Sequence, residues 1–392
     1  MRALSILIAL AVPAAAHADG DAKPPVVAPA STAPAAPPGA PGTPAPPLAT
    51  EPATEPAPAY SAVAVGLVPG LSTDRTRIGS MQHRLSLNLL VGVGGGSSGL
   101  SLSGIADIEC GPVTGYQVGG AIASAPRLEG TQLAGVAALA GQVHGVQLAG
   151  AAAIASTSVD VQIAGATDIA GGTASVQIAG GINVAHRVSG LQLAAINVAR
   201  QVDGAQIGAI NIGGSTGGVQ IGVINIGGSA DGFSLGLVNL VPGGRADLET
   251  SVDSSKIGSV VFRHGGRRWH NVYAIGGHPV NHGGSRDDVW MYGLGFGHTQ
   301  RLGDTAIDLE AIGWHVNHGA HYETDLSILS QLRLSVAHDL GPLALVAGGN
   351  LNVYVTSDAQ SPLALERRTA GSPMTSGVTV AVWPSAFVGI RI

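Results

Sequence analysis

The sequence predicts an all-β protein: a Gly/Ala-rich repeat β-solenoid joined to antiparallel strands of an outer-membrane-type β-barrel. Three observations predict it. A 14–15-residue phrase recurs through the middle of the chain, as in GLQLAAINVARQVDGAQIGAINIGGSTGGVQIGVINIGG at 190–228. The last third carries long runs in which apolar and polar residues alternate, VWMYGLGFG and LSILSQLRLSVAHDL among them. Only 11% of residues are charged, yet no helix-length apolar run follows the first 18 residues, so the hydrophobicity must be divided among alternating strands.

The chain of 392 residues divides into five parts. Residues 1–18 read as a signal peptide: Arg2 is the positive end, Leu4 to Ala16 the apolar core, and Ala16-His17-Ala18 the small-residue cleavage site. The exported protein is then expected to begin near Asp19. Residues 19–59 contain the Pro/Ala/Thr tract from Lys23 to Pro58, which cannot build a core and reads as an extended, disordered tether. Residues 60–98 hold N-terminal strands, 99–244 the repeats, and 245–392 the barrel-like strands. A single cysteine, Cys110, excludes an internal disulfide. A net charge of −6 argues against a nucleic-acid partner.

The repeats align on a glutamine slot. Gln117, Gln132, Gln147, Gln162, Gln177 and Gln192 recur every 15 residues, then Gln206, Gln220 and Ser234 every 14. A second slot carries Ala138, Ala153, Asp168, Asn183, Asn197, Asn211, Asn225 and Asn239, with Asp107 in a degenerate early copy. The residue lost between the two spacings falls between the slots, among Gly and Ala. Within a continuous strand, losing one residue would turn everything beyond it to the opposite face. At a corner between short strands the loss costs little. Each copy therefore reads as short strands meeting at corners, and the copies stack. At about 4.8 Å per coil, ten coils give a rod on the order of 45–50 Å long. Stacking predicts an apolar ladder of Ile207, Ile221 and Leu235, and an amide ladder of Asn183, Asn197, Asn211, Asn225 and Asn239, since each amide both donates and accepts. The alternative makes every repeat one strand of a large up-and-down barrel. The scarcity of aromatics between Leu85 and Val261, with only Tyr116 and Phe233, favours the solenoid.

From 245 onward, Trp290, Tyr292, Leu294 and Phe296 share one face of a strand. Ile307 and Leu309 oppose Asp308 and Glu310. Leu332, Leu334 and Val336 oppose Gln331, Arg333 and Ser335, and Leu345 and Leu351 oppose Asn350 and Asn352. One apolar and one polar face in strands of about ten residues is the transmembrane-barrel pattern, and a soluble β-sandwich is the alternative. Asp308, Glu310, Gln331 and Arg333 would line the lumen, the two carboxylates pairing with Arg333. The strands around Ala62–Pro69 and Arg84–Val93 are expected to help close the barrel.

The units GAQIGAINI and GVQIGVINI, the final GFSLGLVNLVPGG, and MYGLGFGHTQRL resemble the leptospiral-type surface-repeat proteins, as does LSLNLLVGVGGG before the first repeat. The resemblance covers roughly Leu85 to Ile392. It implies a cell-surface or outer-membrane location in a Gram-negative bacterium, and supplies no catalytic residues.

Nine of the 13 histidines lie between His264 and His338. HVNHGAH spaces His315, His318 and His321 by three, with Glu323 and Asp325 following, which makes them weak candidates for Zn²⁺ or Cu²⁺. RHGGRRWH places Arg263, Arg267 and Arg268 together, a candidate contact for lipopolysaccharide phosphates or anionic headgroups. No HExxH or phosphate loop occurs, and nothing in the spacing of Ser, His and Asp supports a catalytic triad. The expected function is structural or adhesive, without catalysis or cofactor, in contact with outer-membrane lipid. The alternatives are a pore with a polar lumen and a metal enzyme of the His-rich loops.

Overall fold

The computed structural model describes residues 59–74, 77–227, 232–282, 285–319, 322, 324–357, 363 and 378–392, without the side chains of 279–288. The expected signal peptide and the tract from Lys23 to Pro58 lie outside the described residues.

Nineteen short strands, β1 (Ala59–Gly66) to β19 (Val238–Leu240), wind into a parallel β-solenoid of about ten coils. Equivalent positions stack in register. Gln162 pairs with Gln177, Gln206 with Gln220, and Ile207 with Ile221 and then Leu235. Asn183, Asn197, Asn211, Asn225 and Asn239 stack likewise. Parallel pairing of copies 14 or 15 residues apart is incompatible with an up-and-down barrel, whose neighbours must be antiparallel. The change of spacing is absorbed at a corner. Ala179 ends its strand and Gly180-Gly181 turn the chain to Ile182; one coil later Leu193 ends its strand and Ala194-Ala195 lead to Ile196. The pairs Gln177–Gln192 and Asn183–Asn197 stay in register on either side.

The same corner explains a column of glycines. A Cβ on Gly135, Gly150, Gly165 or Gly180 would lie 2.1, 1.9, 2.1 or 2.3 Å from the carbonyl oxygen of the matching glycine one coil earlier. Coils this close tolerate no side chain there.

The coil is narrow, and its inside is unusual. Every repeat glutamine from Gln117 to Gln220 is 0% exposed, as are Asn183, Asn197, Asn211 and Asn225. The residues after the glutamines, and after Ser234 in the last coil, point outward: Leu133, Ile163, Leu193, Ile207, Ile221 and Leu235 are 36–41% exposed. A second interior column packs under the third side of the coil, with Val113, Leu128, Val143, Val159, Val188 and Val202 against small alanines such as Ala140 and Ala155.

Eight strands follow: β20 (Arg245–Asp253), β21 (Gly258–Gly265), β22 (Trp269–His282), β23 (Ser285–Leu302), β24 (Thr305–His318), β25 (Ser327–Asp339), β26 (Ala344–Thr356) and β27 (Thr379–Arg391). They form a closed antiparallel barrel, sealed by β27 against β20. The strands near the N-terminus do not help close it, contrary to the sequence expectation. Met81–Asn88 pairs in parallel with Ser97–Ser103 and belongs to the first coils. Eight strands already close a complete hydrogen-bonded ring, which leaves no edge for more.

One end of the barrel carries short turns, at 266–268, Gly303–Asp304 and Leu340–Leu343, together with the start of β20 and the end of β27. The longer connections, 319–326 and 357–378, belong to the other end. Inward and outward positions alternate along most of each strand. Leu294, Leu309, Leu332, Leu334, Leu345, Leu351 and Ile390 are exposed on the outside, while Asp308, Glu310, Gln331, Arg333 and Asn352 are buried on the inside.

Candidate functional site: the amide ladders, the barrel interior and their junction

The glutamine ladder is a continuous hydrogen-bonded wire. Each Nε2 donates to the Oε1 one coil earlier, at 2.8 Å from Gln132 to Gln117, 2.7 Å from Gln147 to Gln132, and 2.8 Å from Gln220 to Gln206. Each also donates to a backbone carbonyl, as Gln162 does to Ile169 at 3.1 Å. Only an amide can fill both roles at every step, and aligned amides strengthen one another. The wire ends on a carboxyl group: Gln117 Nε2 donates to Asp107 Oδ1 at 2.9 Å, and the hydroxyls of Ser101 and Ser103 donate to Oδ2, each at 2.7 Å. Burial raises the Asp107 carboxyl above its usual range, and these three donors pull it back. Beside it, burial and the charge of Asp107 push Glu109 up to about 7, against the Gly96 N–H that donates to it at 2.9 Å.

The asparagine ladder runs the other way. Asn183 Nδ2 donates to Asn197 Oδ1 at 3.0 Å, then Asn197 to Asn211 at 2.9 Å, Asn211 to Asn225 at 2.8 Å, and Asn225 to Asn239 at 2.8 Å. It does not stop at the last coil. Asn239 Nδ2 donates to Asn271 Oδ1 of the barrel at 2.8 Å, and Asn271 Nδ2 donates back to the Gly236 carbonyl. At the opposite end Asn183 Oδ1 has no hydrogen-bond partner, and the residue in register with it is Asp168. Burial pushes the Asp168 carboxyl up to about 7, opposed only by the nearby Ile178 backbone, and neither carboxyl oxygen has a hydrogen-bond partner.

Inside the barrel, four guanidiniums interleave with four carboxylates near the short-turn end. Arg263 holds Glu310 through Nε at 2.5 Å and Nη2 at 2.9 Å, and reaches Glu249 at 3.0 Å. Asp308 is held by Arg245 at 2.7 Å and Arg391 at 2.8 Å. Arg333 pairs with Glu249, stands 3.7 Å from Glu310, and lies 3.7 Å from the centre of the Phe387 ring. Arg245 also pairs with Asp247, and His270 Nε2 contacts Glu310 at 3.0 Å. Desolvated charges at this density are tolerated only because each has partners on several strands. Gln331 donates to Asn352 at 2.9 Å. Towards the long-connection end, Val272, Met291, Ile312, Trp314, Leu329 and Trp383 pack together in one buried apolar cluster.

Asp308, Glu310, Gln331 and Arg333 therefore all sit on the interior, but the pairing differs from the sequence expectation. Register places Glu310 opposite Arg333 and Asp308 opposite Ser335. Asp308 instead crosses the narrow interior to Arg245 and Arg391. Arg263 does not join Arg267 and Arg268 in a surface cluster, because strand alternation turns it inward. His315 stacks on Tyr322 at 4.9 Å and lies 5.4 Å from Tyr292. His321 and Glu323 lie outside the described residues. Among the described residues no three His, Cys, Asp or Glu side chains are grouped to hold a metal.

The junction was missed in the sequence. Asn271 lies in register with Phe296 and His264, on the barrel's outer wall, and is nevertheless only 5% exposed, because the last coil covers it. Phe233 of that coil packs edge-on to Trp269 at 5.2 Å and Phe296 at 5.3 Å, and His264 Nδ1 lies 3.3 Å from the Asn239 carbonyl. The wall thus caps the open end that any stacked repeat leaves. The available signal was Asn271 itself, a polar residue between Trp269 and Tyr273 at the outward positions of its strand. Comparison with family models, curated proteins and solved structures gives no match for this chain.

Proposed function

We propose that this is a non-enzymatic outer-membrane protein whose barrel is a membrane anchor and whose solenoid is a rigid structural or adhesive element. The observation that carries this reading is the inversion of the barrel: apolar side chains exposed outside, charged and amide side chains buried inside. Water favours the reverse, and hydrocarbon favours this arrangement. Aromatics lie toward both ends of the outer wall, Trp290 and Tyr292 at one, Phe262, Trp269 and Phe296 at the other, as at two membrane interfaces. The packed interior supports an anchor over a pore, since an eight-stranded barrel has room inside for little beyond its own side chains.

The test is membrane fractionation with gel mobility before and after boiling. Recovery in the outer membrane with faster migration of unboiled protein is expected. A soluble protein with no mobility shift would overturn the anchor. Planar bilayers containing purified protein should show no conductance steps, and reproducible steps would favour the pore.

A further inference from the structure

We propose that the solenoid lies flat against the bilayer as a lateral arm. Its two apolar faces would sit in the acyl-chain boundary of the leaflet at the barrel's short-turn end, with its third side in water. This rests on the barrel being a membrane anchor.

The faces are the first ground. On the glutamine face the outward positions are Val161 and Ile163, Val176 and Ile178, Leu191 and Leu193, and so on to Phe233 and Leu235. On the asparagine face they run from Ile182 and Val184 to Val238 and Leu240. Among the described residues, no Asp, Glu, Lys or Arg occupies an outward position on either face from Leu100 to Leu240. The corner between them is more exposed still, with Val136, Val223 and Leu237 at 52–53%. Charged and polar groups collect on the third side, where Arg187 pairs with Asp203 at 2.6 Å and Arg127 donates to Gln142 at 3.3 Å. Two three-residue strands across and ten coils along make an apolar surface on the order of 900 Å². A soluble monomer seldom exposes a patch above about 300–600 Å².

The docking geometry is the second ground. The asparagine ladder marks the solenoid axis, and it continues into a side chain that points outward from the barrel wall. The rod therefore leaves the barrel sideways, along the plane in which a membrane would lie. The chain leaves β19 at Leu240 and enters the barrel at Arg245, at the short-turn end, with Gly244 packed against Gly265. The asparagine strand runs toward that end, so the Gly236–Leu237 corner at its start is turned toward the apolar belt. The solenoid's apolar faces are then continuous with the barrel's, through Phe233, Trp269 and Phe296. That continuity selects lipid over a second copy of the chain as the occupant.

The experiment uses the full chain with Cys110→Ser, folded into phosphatidylcholine vesicles with or without bromine on the acyl chains. A single cysteine carrying an environment-sensitive fluorophore is placed at Val223→Cys on the corner, Gln201→Cys on the third side, or Leu334→Cys on the barrel. A blue-shifted emission lost in brominated lipid is expected at 223 and 334, with 201 unchanged in both lipids. Quenching at 334 but not at 223 leaves the anchor standing and overturns the lateral arm. Emission at 223 that is blue-shifted but unquenched means that protein covers the face, which also overturns it. No quenching at 334 removes the anchor, and this inference with it.

Discussion

Asp168→Asn should stabilise the solenoid, and by an amount that grows with pH. Asp168 is buried, held up at about 7 by desolvation, and in register with Asn183, whose Oδ1 lacks a donor. Its pKa is raised in the folded state, so its contribution to stability is full below the unfolded value near 3.8, falls through pH 4–7, and is lost above about 7. About three pKa units correspond to at most ~4 kcal/mol, and relaxation and water access reduce that to roughly 2 kcal/mol. Asparagine carries no charge at any pH and places an N–H toward Asn183, adding about 1 kcal/mol as a net hydrogen bond. Hydrogen exchange read by mass spectrometry on peptides spanning 159–202 follows the solenoid separately from the barrel. At pH 8 the variant should show tenfold or greater extra protection over wild type at the same pH. At pH 4.5, where the neutral Asp168 carboxyl can itself donate, the difference should nearly vanish. Equal gains at both pH values, or a less protected variant at pH 8, would refute the reasoning.

Other substitutions probe the remaining contacts. Gln162→Ala removes the donor to Gln147 and the acceptor of Gln177, and should destabilise the coils around it by about 2–4 kcal/mol, seen as lost exchange protection in neighbouring coils. Glu310→Gln leaves Arg263 without its main partner; a loss of about 3–5 kcal/mol should appear as a lower denaturant midpoint for the heat-modifiable form. Asn271→Leu uncaps Asn239 and should loosen the last coils by about 1–3 kcal/mol while leaving barrel mobility on gels unchanged. Gly150→Ala forces a Cβ to 1.9 Å from the Gly135 carbonyl and should disrupt coil stacking, whereas the open turn at Gly303 should accept Asn with little loss of folded barrel.

Spacing made the solenoid legible. A repeat that drops a residue between two slots while keeping both in register has to turn a corner there, and the asparagine ladder follows from that alone. Alternation within the strands between 289 and 355 likewise identified the barrel faces, since period two assigns residues to faces without knowledge of partners. Spacing does not say which side of a coil is inside. The glutamines and the isoleucines beside them alternate equally well under either choice. Closure of the coil decides it: stacked amides satisfy one another in a space too narrow for branched chains on every wall, so Gln162 is buried and Ile163 is not. The partners of Asp308 and Arg263 were likewise beyond sequence, because a narrow closed barrel brings strands into contact across its interior that never pair along its wall. Local pattern thus determined the elements and their faces. The tertiary structure alone decided which face is the interior, which charges meet there, and that the asparagine ladder ends on the barrel wall, because each depends on chain closure and on contacts between residues far apart in sequence.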